Sequence, residues 1–454
     1  MMKQVEGFAT KEVNTMNKVF TVSILGCGSR GHYTYGKCMT ENFGDKFKIV
    51  SVCDIDEEKI ALAKKDWGLA DENCFLDSDE FLKEKRSDAL VIATQDRDHV
   101  KMCVRALELG YDILLEKPIS PVEEELYELL EAYKKYNRKV IVCHVLRYAP
   151  AFLKIKELLD SGEIGKIVCI DWIEQVTYWH QAHSFVRGNW RNDQETSPMI
   201  MQKCCHDLDL LQYYVGSKCK TVYSVGDLAF FNKANKPEGA ASRCENCKYI
   251  NDCVYSAERL YIEKWKKDFD WVKDKPHVDD YARKQGWPFN VVDLSRPITE
   301  ESMRKAYQSS GYGRCVFDCD NNVVDNQTVV MHFENGVKAN LTMTAFTALP
   351  GRKMTFHGTL GEVEMDEEND YIRFSRYGKG TQFFSIKEVL RIAINDTFGH
   401  GGGDLMMVRD FYDALAGNGE LGTTLEKSIE SHLMALAAEK SRLTGEVCNV
   451  HKEV

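Results

Sequence analysis

Five short apolar runs punctuate the first third of the chain, at 19–25, 48–53, 89–94, 112–115 and 139–143. The segments between them carry helical spacing, at 56–65, 99–109 and 123–137, and close near Gly68, Gly110 and Asn137. Ser120-Pro121-Val122-Glu123 reads as a capping box with proline at the first helical position. Strands separated by helix-length segments predict an α/β architecture with a doubly wound parallel sheet. From 165 the pattern changes. An alternating strand spans 165–173, and strands at 328–333 and 337–344 flank Asn335-Gly336, a strong hairpin signal. Further short strands at 353–357, 361–365 and 371–375 predict an α+β domain with a mostly antiparallel sheet, and a helix at 425–444 packs on it. The stretch 232–326, rich in charge, tryptophan and cysteine, fits neither pattern and reads as an insertion. The expected division is a disordered extension at 1–15, a first domain at 16–145 and a second at 146–454.

Composition narrows the class. The 454 residues are 44% hydrophobic and 28% charged, as in a globular protein with proper cores. A formal charge of -11 without a basic tract argues against nucleic acid or anionic membrane as partner. The polar start lacks the apolar core of a signal peptide, and no apolar run approaches the ~20 residues that span a bilayer. Sixteen cysteines without a secretion signal point to reduced thiols or a metal site, and to the cytoplasm.

The first strand runs into Gly26-Cys27-Gly28-Ser29-Arg30-Gly31. Such a turn holds a dinucleotide diphosphate: one glycine for the bend, one for close backbone approach, one for helix packing, with helix amides facing the phosphates. Asp54 ends the second run, where a carboxylate accepts the ribose hydroxyls of NAD and repels the 2′-phosphate of NADP. Thr94, Gln95 and His99 follow the third run at the same sheet edge and join the cofactor-binding set, although His99 also suits a plain helical first turn. Glu116-Lys117-Pro118 follows the next run, at the edge where ligands bind open sheets. Beside a cationic nicotinamide, a lysine there can exchange a proton with a substrate hydroxyl.

These motifs, with a histidine-bearing helix in a mixed second domain, resemble the glucose–fructose oxidoreductase/inositol dehydrogenase (Gfo/Idh/MocA) family over nearly the whole chain, the first 15 or so residues and the insertion excepted. The resemblance implies a Rossmann domain followed by an α+β domain with a large open sheet, NAD as cofactor, a carbohydrate substrate, and a homodimer or homotetramer. It implies Lys117 and His206 as the active-site pair. His206 and Asp209 share a helical face at i, i+3, so the carboxylate is expected to orient the imidazole. One departure stands out. Family dehydrogenases commonly carry aspartate four residues before this histidine, and here that position is Gln202, followed by Lys203. Glutamine binds a hydroxyl but carries no proton.

Further substrate contacts are expected from His180, His183, Arg187 and Trp190 in the aromatic segment 179–191, from Tyr148 at the domain junction, and from His400 before a helix capped by Asp404. Cys244, Cys247 and Cys253, with Cys315 as a fourth, have spacing suited to structural zinc; an iron–sulfur cluster and free thiols are the alternatives. The reading is thus an NAD-dependent oxidoreductase of sugars, sugar derivatives or glycosides. A redox-assisted glycosidase or lyase that recycles NAD is the alternative within enzymes, and a sugar- or NAD-sensing protein the alternative outside them.

Overall fold

The computed structural model describes residues 18–267, 284–393, 400–419 and 422–452, so the expected extension at 1–15 lies outside them. Strands β1 (Phe20–Leu25), β2 (Phe47–Cys53), β3 (Cys74–Phe75), β4 (Ala89–Ile92), β5 (Asp112–Leu115) and β6 (Val140–Val142) form a parallel sheet in the order β3-β2-β1-β4-β5-β6. The order reverses between β1 and β4, the crevice where doubly wound sheets bind ligands. Local chemistry explains the helices. Asp56 caps helix Glu57–Trp67 by accepting from Glu58 and Lys59, and Gly68 ends it at φ +62°. The helix after Ser120 starts later than its sequence suggests: Val122 precedes Glu123–Tyr136, while Ser120 Oγ accepts from Val122 N–H and donates to Glu125.

The second sheet has nine strands: β7 (Ile167–Gln175), β8 (Cys219–Asp227), β9 (Asn326–Phe333), β10 (Lys338–Thr344), β11 (Gly351–Gly358), β12 (Gly361–Asp366), β13 (Tyr371–Arg376), β14 (Gly380–Phe384) and β15 (Cys448–Asn449). Their order is β14-β13-β12-β11-β7-β10-β9-β8-β15, antiparallel except for the parallel pair β7 and β10. Gly336, at φ +89°, makes the predicted β9–β10 turn. One face of the sheet is covered by the helix Leu425–Thr444, whose Ile429, Leu433 and Met434 join Val222, Met331 and Met343 in one core. No described helix is long and apolar enough to cross a membrane.

Two arrangements were not legible in the pattern. The helix Gly403–Leu415 returns to the first domain, where Met407, Val408, Phe411 and Tyr412 pack with Phe20, Phe47 and Ile49. Its cap is Gly402, not Asp404, whose side chain is spent elsewhere. The insertion, for its part, contributes Leu260, Tyr261, Phe289, Met303 and Tyr307 to an apolar cluster completed by Trp179, Val186 and Phe231. It reaches the first domain through Arg296, which pairs with Asp66 at 2.5 Å and donates to the Tyr33 hydroxyl at 2.9 Å.

Because Phe411 is fully buried against Phe47, Phe411→Ala should destabilise the fold by roughly 3–5 kcal/mol. Urea unfolding is the measurement; a loss below about 1 kcal/mol would detach this helix from the first core.

Candidate active site

The glycine turn is dictated by steric contact. Gly26 sits at φ +90°, and a Cβ there would lie 2.3 Å from the Ala93 carbonyl oxygen. A Cβ on Gly31 would lie 1.9 Å from the Gly26 oxygen. At Gly28 nothing stands within 4 Å, so the backbone between β1 and the helix from Ser29 is open to approach. That open cradle fits a diphosphate. Asp54 braces the turn from β2, accepting from Cys27 N–H at 2.7 Å and Asp56 N–H at 3.0 Å.

Other expected cofactor contacts have different duties. Arg30 turns inward and binds Glu116 at 2.5 Å and Asp404 at 2.7 Å, with Tyr35 completing the knot. His99 is buried, its Nδ1 2.8 Å from the Pro118 carbonyl and its Nε2 3.2 Å from that of Thr94, so it clasps two loops rather than facing a ligand. The Thr94 hydroxyl donates to Met102 sulfur at 3.5 Å, and Gln95 is exposed beyond β4.

At the end of β5, burial alone would raise the Glu116 pKa, yet the Arg30 and Lys117 cations hold it below the ordinary carboxylate value. The Lys117–Pro118 peptide is cis. Lys117 Nζ crosses to the second domain and donates to the Gln202 carbonyl at 2.9 Å and to its side-chain oxygen at 3.3 Å. Both acceptors are neutral. Gln202 ends one short helix and His206 stands in the first turn of the next, Cys205–Val215, close enough for the Lys117 charge to act on the imidazole. Burial first, then the Lys117 charge, depresses the His206 pKa well below its ordinary value, leaving the imidazole neutral.

His400 closes the site from a third segment. Its ring centroid lies 6.1 Å from that of His206, and its Nδ1 lies 2.8 Å from Asp404. Positive φ at His400, Gly401 and Gly402 turns the chain there. His180 completes the ring of groups: lost hydration, then Lys203, His183, Lys117 and His400, push its pKa well down. Lys203 pairs with Glu174 at 3.0 Å, and Arg352 ties that carboxylate at 2.9 Å to Asp207 at 2.7 Å. Lys203 is therefore part of an ion network rather than a free ammonium group.

Several expectations are corrected by these contacts. Asp209 does not orient His206; Arg147 takes its carboxylate through bonds of 2.6 and 2.7 Å. Tyr148 is pinned to Asp410 at 2.8 Å and Thr423 at 3.1 Å, away from the lysine–histidine pair. His183 bonds the Tyr261 hydroxyl at 3.1 Å and stacks on Tyr312, inside the insertion's core. Arg187 is likewise buried, donating to the carbonyls of Arg314 and Tyr255 at 2.7 and 2.8 Å. Trp190 packs on Phe185, ring centroids 6.0 Å apart. Sequence reasoning passed over Trp287, 5.0 Å from the His180 ring, because the insertion shows no period. It also passed over His144, although that residue follows β6 at the same ligand-binding edge.

Structural zinc finds no support, and the free-thiol alternative fits the cysteines better. Cys244, Cys247, Cys253 and Cys315 do line one cavity of about 40 Å³, but all are free thiols. Among the described residues no group of three or more His, Cys, Asp or Glu is arranged to hold a metal ion. The Cys244 sulfur instead accepts from Ala257 N–H at 3.4 Å and Arg187 at 3.5 Å. The insertion is ordered by its aromatic cluster, so the premise that its core needs a metal does not hold.

Comparison with known proteins agrees with this architecture. A model described as an oxidoreductase family, NAD-binding Rossmann fold, matches residues 20–144, and one described as the C-terminal alpha/beta domain matches 156–450. The YteT protein of Bacillus subtilis is 25% identical over 418 residues, covering 87% of this chain and 91% of that protein. Inositol 2-dehydrogenase 2 of Saccharopolyspora erythraea is 26% identical over 210 residues, 46% of this chain and 56% of that protein. The WlbA dehydrogenase of Bordetella pertussis, solved with NADH and UDP-GlcNAcA, superposes with a TM-score of 0.64 at 15% identity, covering 97% of this chain and all of that one.

The glycine geometry separates folding from binding. Gly28→Ala should leave thermal stability within about 0.5–1 kcal/mol yet weaken NAD binding at least roughly tenfold, whereas Gly31→Ala should fail in both. Calorimetric melting and NAD titration read the two effects; unaltered NAD affinity in Gly28→Ala would remove the cradle.

Proposed function

Because the chain belongs to the Gfo/Idh/MocA oxidoreductase family and carries its NAD-binding Rossmann domain, we propose that it moves hydride between NAD and a secondary hydroxyl or ketone of a sugar, sugar derivative or glycoside. The observation that carries this reading is that Lys117 reaches Gln202, four residues before His206, near enough for its charge to act on that imidazole. Gly26, Gly28, Ser29 and Gly31 would hold the diphosphate. Asp54 would take the ribose hydroxyls with the lone pairs that Cys27 and Asp56 leave free, favouring NAD over NADP.

An alcohol surrenders hydride readily only as its proton departs. Neutral His206 accepts that proton, while the Lys117 ammonium group, released from Gln202, donates a hydrogen bond to the developing ketone oxygen. Bound NAD supplies the hydride acceptor. His180 and His400 offer donors to further hydroxyls, and Trp287 beside His180 gives an aromatic face for sugar C–H groups. Relatives named as inositol dehydrogenases, and a fold neighbour holding UDP-GlcNAcA, support a sugar or cyclitol. Assembly as a homodimer or homotetramer through the exposed sheet face, where Ile173, Tyr223 and Val330 are uncovered, belongs to the same proposal.

Gln202 favours one second reading. A neutral amide at that position cannot return a proton, which suits a route where oxidation acidifies a neighbouring C–H, elimination follows, and NAD is regenerated.

Lys117→Ala and His206→Ala should each lower turnover by roughly 10²–10⁴ while NAD affinity stays within about threefold. A panel of free sugars, inositols and glycosides, read for NADH and released aglycone, provides the assay. Undiminished turnover in both variants removes the assignment; aglycone release without NADH selects the second reading.

A further inference from the structure

His144 follows β6 and is entirely buried, yet neither of its ring nitrogens has a hydrogen-bond partner among the described residues. The same is true of His206 Nδ1. The two rings meet edge to face with centroids 6.0 Å apart. Three orphaned buried nitrogens side by side are unusual, because each unsatisfied polar group costs roughly 1–3 kcal/mol. On its other flank His144 meets His432, centroid distance 5.8 Å. That ring is fixed: its Nε2 accepts from Ile119 N–H at 2.8 Å and its Nδ1 donates to the Ser428 carbonyl at 2.7 Å. His144 Nε2 lies 3.8 Å from Asp209 Oδ1.

We propose that His144 is a positioning residue for His206, holding the His206 proton on Nδ1 through one bridging water so that Nε2 is left bare toward the substrate. The inference rests on the reading of His206 as the group that takes the substrate proton. The Asp209 carboxylate favours the proton of His144 on Nε2, which leaves Nδ1 of His144 as an acceptor. A water with two or more polar partners satisfies the nitrogens that the protein leaves unpaired. Charge on His144 is opposed by burial and by Arg147 and Lys117, with Glu116 opposing them. The titratable and charged groups facing it are thus Glu116 and Lys117 from the β5 turn, Arg147 from its own turn, His206 and Asp209 from the helix Cys205–Val215, and His432 from the helix Leu425–Thr444. The pair behaves as a neutral donor–acceptor couple, so His206 can take a proton on Nε2 without first changing tautomer.

The test uses the full chain with ¹⁵N-labelled histidine, His206 being assigned by the signal lost in His206→Ala. The wild type should show His206 as a single Nδ1–H tautomer. In His144→Phe the tautomers should mix and kcat should fall about 10–100-fold, while KM and NAD affinity stay within about threefold and the acid limb of the kcat–pH profile moves. His144→Gln, which keeps a polar partner, should recover most of both signals. A mixed tautomer in the wild type, or a His144→Phe enzyme with unchanged tautomer and kcat, overturns the inference; the wild-type spectrum decides it even if His144→Phe does not fold. Full turnover in His206→Ala would instead sink the underlying functional reading, since the tautomer measurement does not depend on activity.

Discussion

A single guanidinium organises this molecule. Arg30 leaves the glycine turn and binds two buried carboxylates, Glu116 at the end of β5 and Asp404 in a helix almost four hundred residues later in the chain. Burial would raise the Asp404 pKa, but Arg30 and then His400 hold it well below the usual carboxylate range. Removing one member of such a knot leaves an uncompensated buried charge, at a cost of roughly 3–5 kcal/mol. The geometry that follows is specific: Arg30 fixes Glu116, the residue before Lys117, and Asp404 in turn holds His400. Both functional groups therefore depend on an arginine whose sequence context suggests phosphate contact.

The second domain meets this frame with charges already neutralised. Glu174 and Asp207 are taken by Lys203 and Arg352, and Asp209 by Arg147. The Lys117 ammonium group is left with the neutral oxygens of Gln202. The charged neighbours that act on His206, Lys117 first, then oppose a proton on it. Under the proposed function, this arrangement of committed carboxylates and one uncommitted lysine keeps the base neutral. The insertion brings Trp287 beside His180, and it ties itself to the nucleotide domain through Arg296.

Much of the frame was readable from the chain alone. Continuous apolar runs such as 89–92 mark strands buried on both faces, and alternation in 167–173 marks a half-buried one. Gly26 and Gly31 are fixed by clashes that no other residue avoids, so their motif survives as a pattern. Lys117 could be placed at the sheet's ligand-binding edge because it follows a strand end, whereas His206 and Gln202 were singled out by the family resemblance, local periodicity alone giving no reason to choose them. His183 and Arg187 were misread because aromatic and basic side chains look alike whether they bind sugar or seal an insertion. The four cysteines were misread for the same reason, since spacing says nothing of where thiols point.

What could be read along the chain was the pair of sheets and the nucleotide turn, because these follow from local periodicity and local steric contact. Which partner each charged side chain takes emerges from the folded arrangement alone. Arg30 meets Asp404 across 374 positions, and Lys117 meets Gln202 across 85. Such pairings are set by packing of distant elements, and their energies depend on burial, which no local pattern encodes.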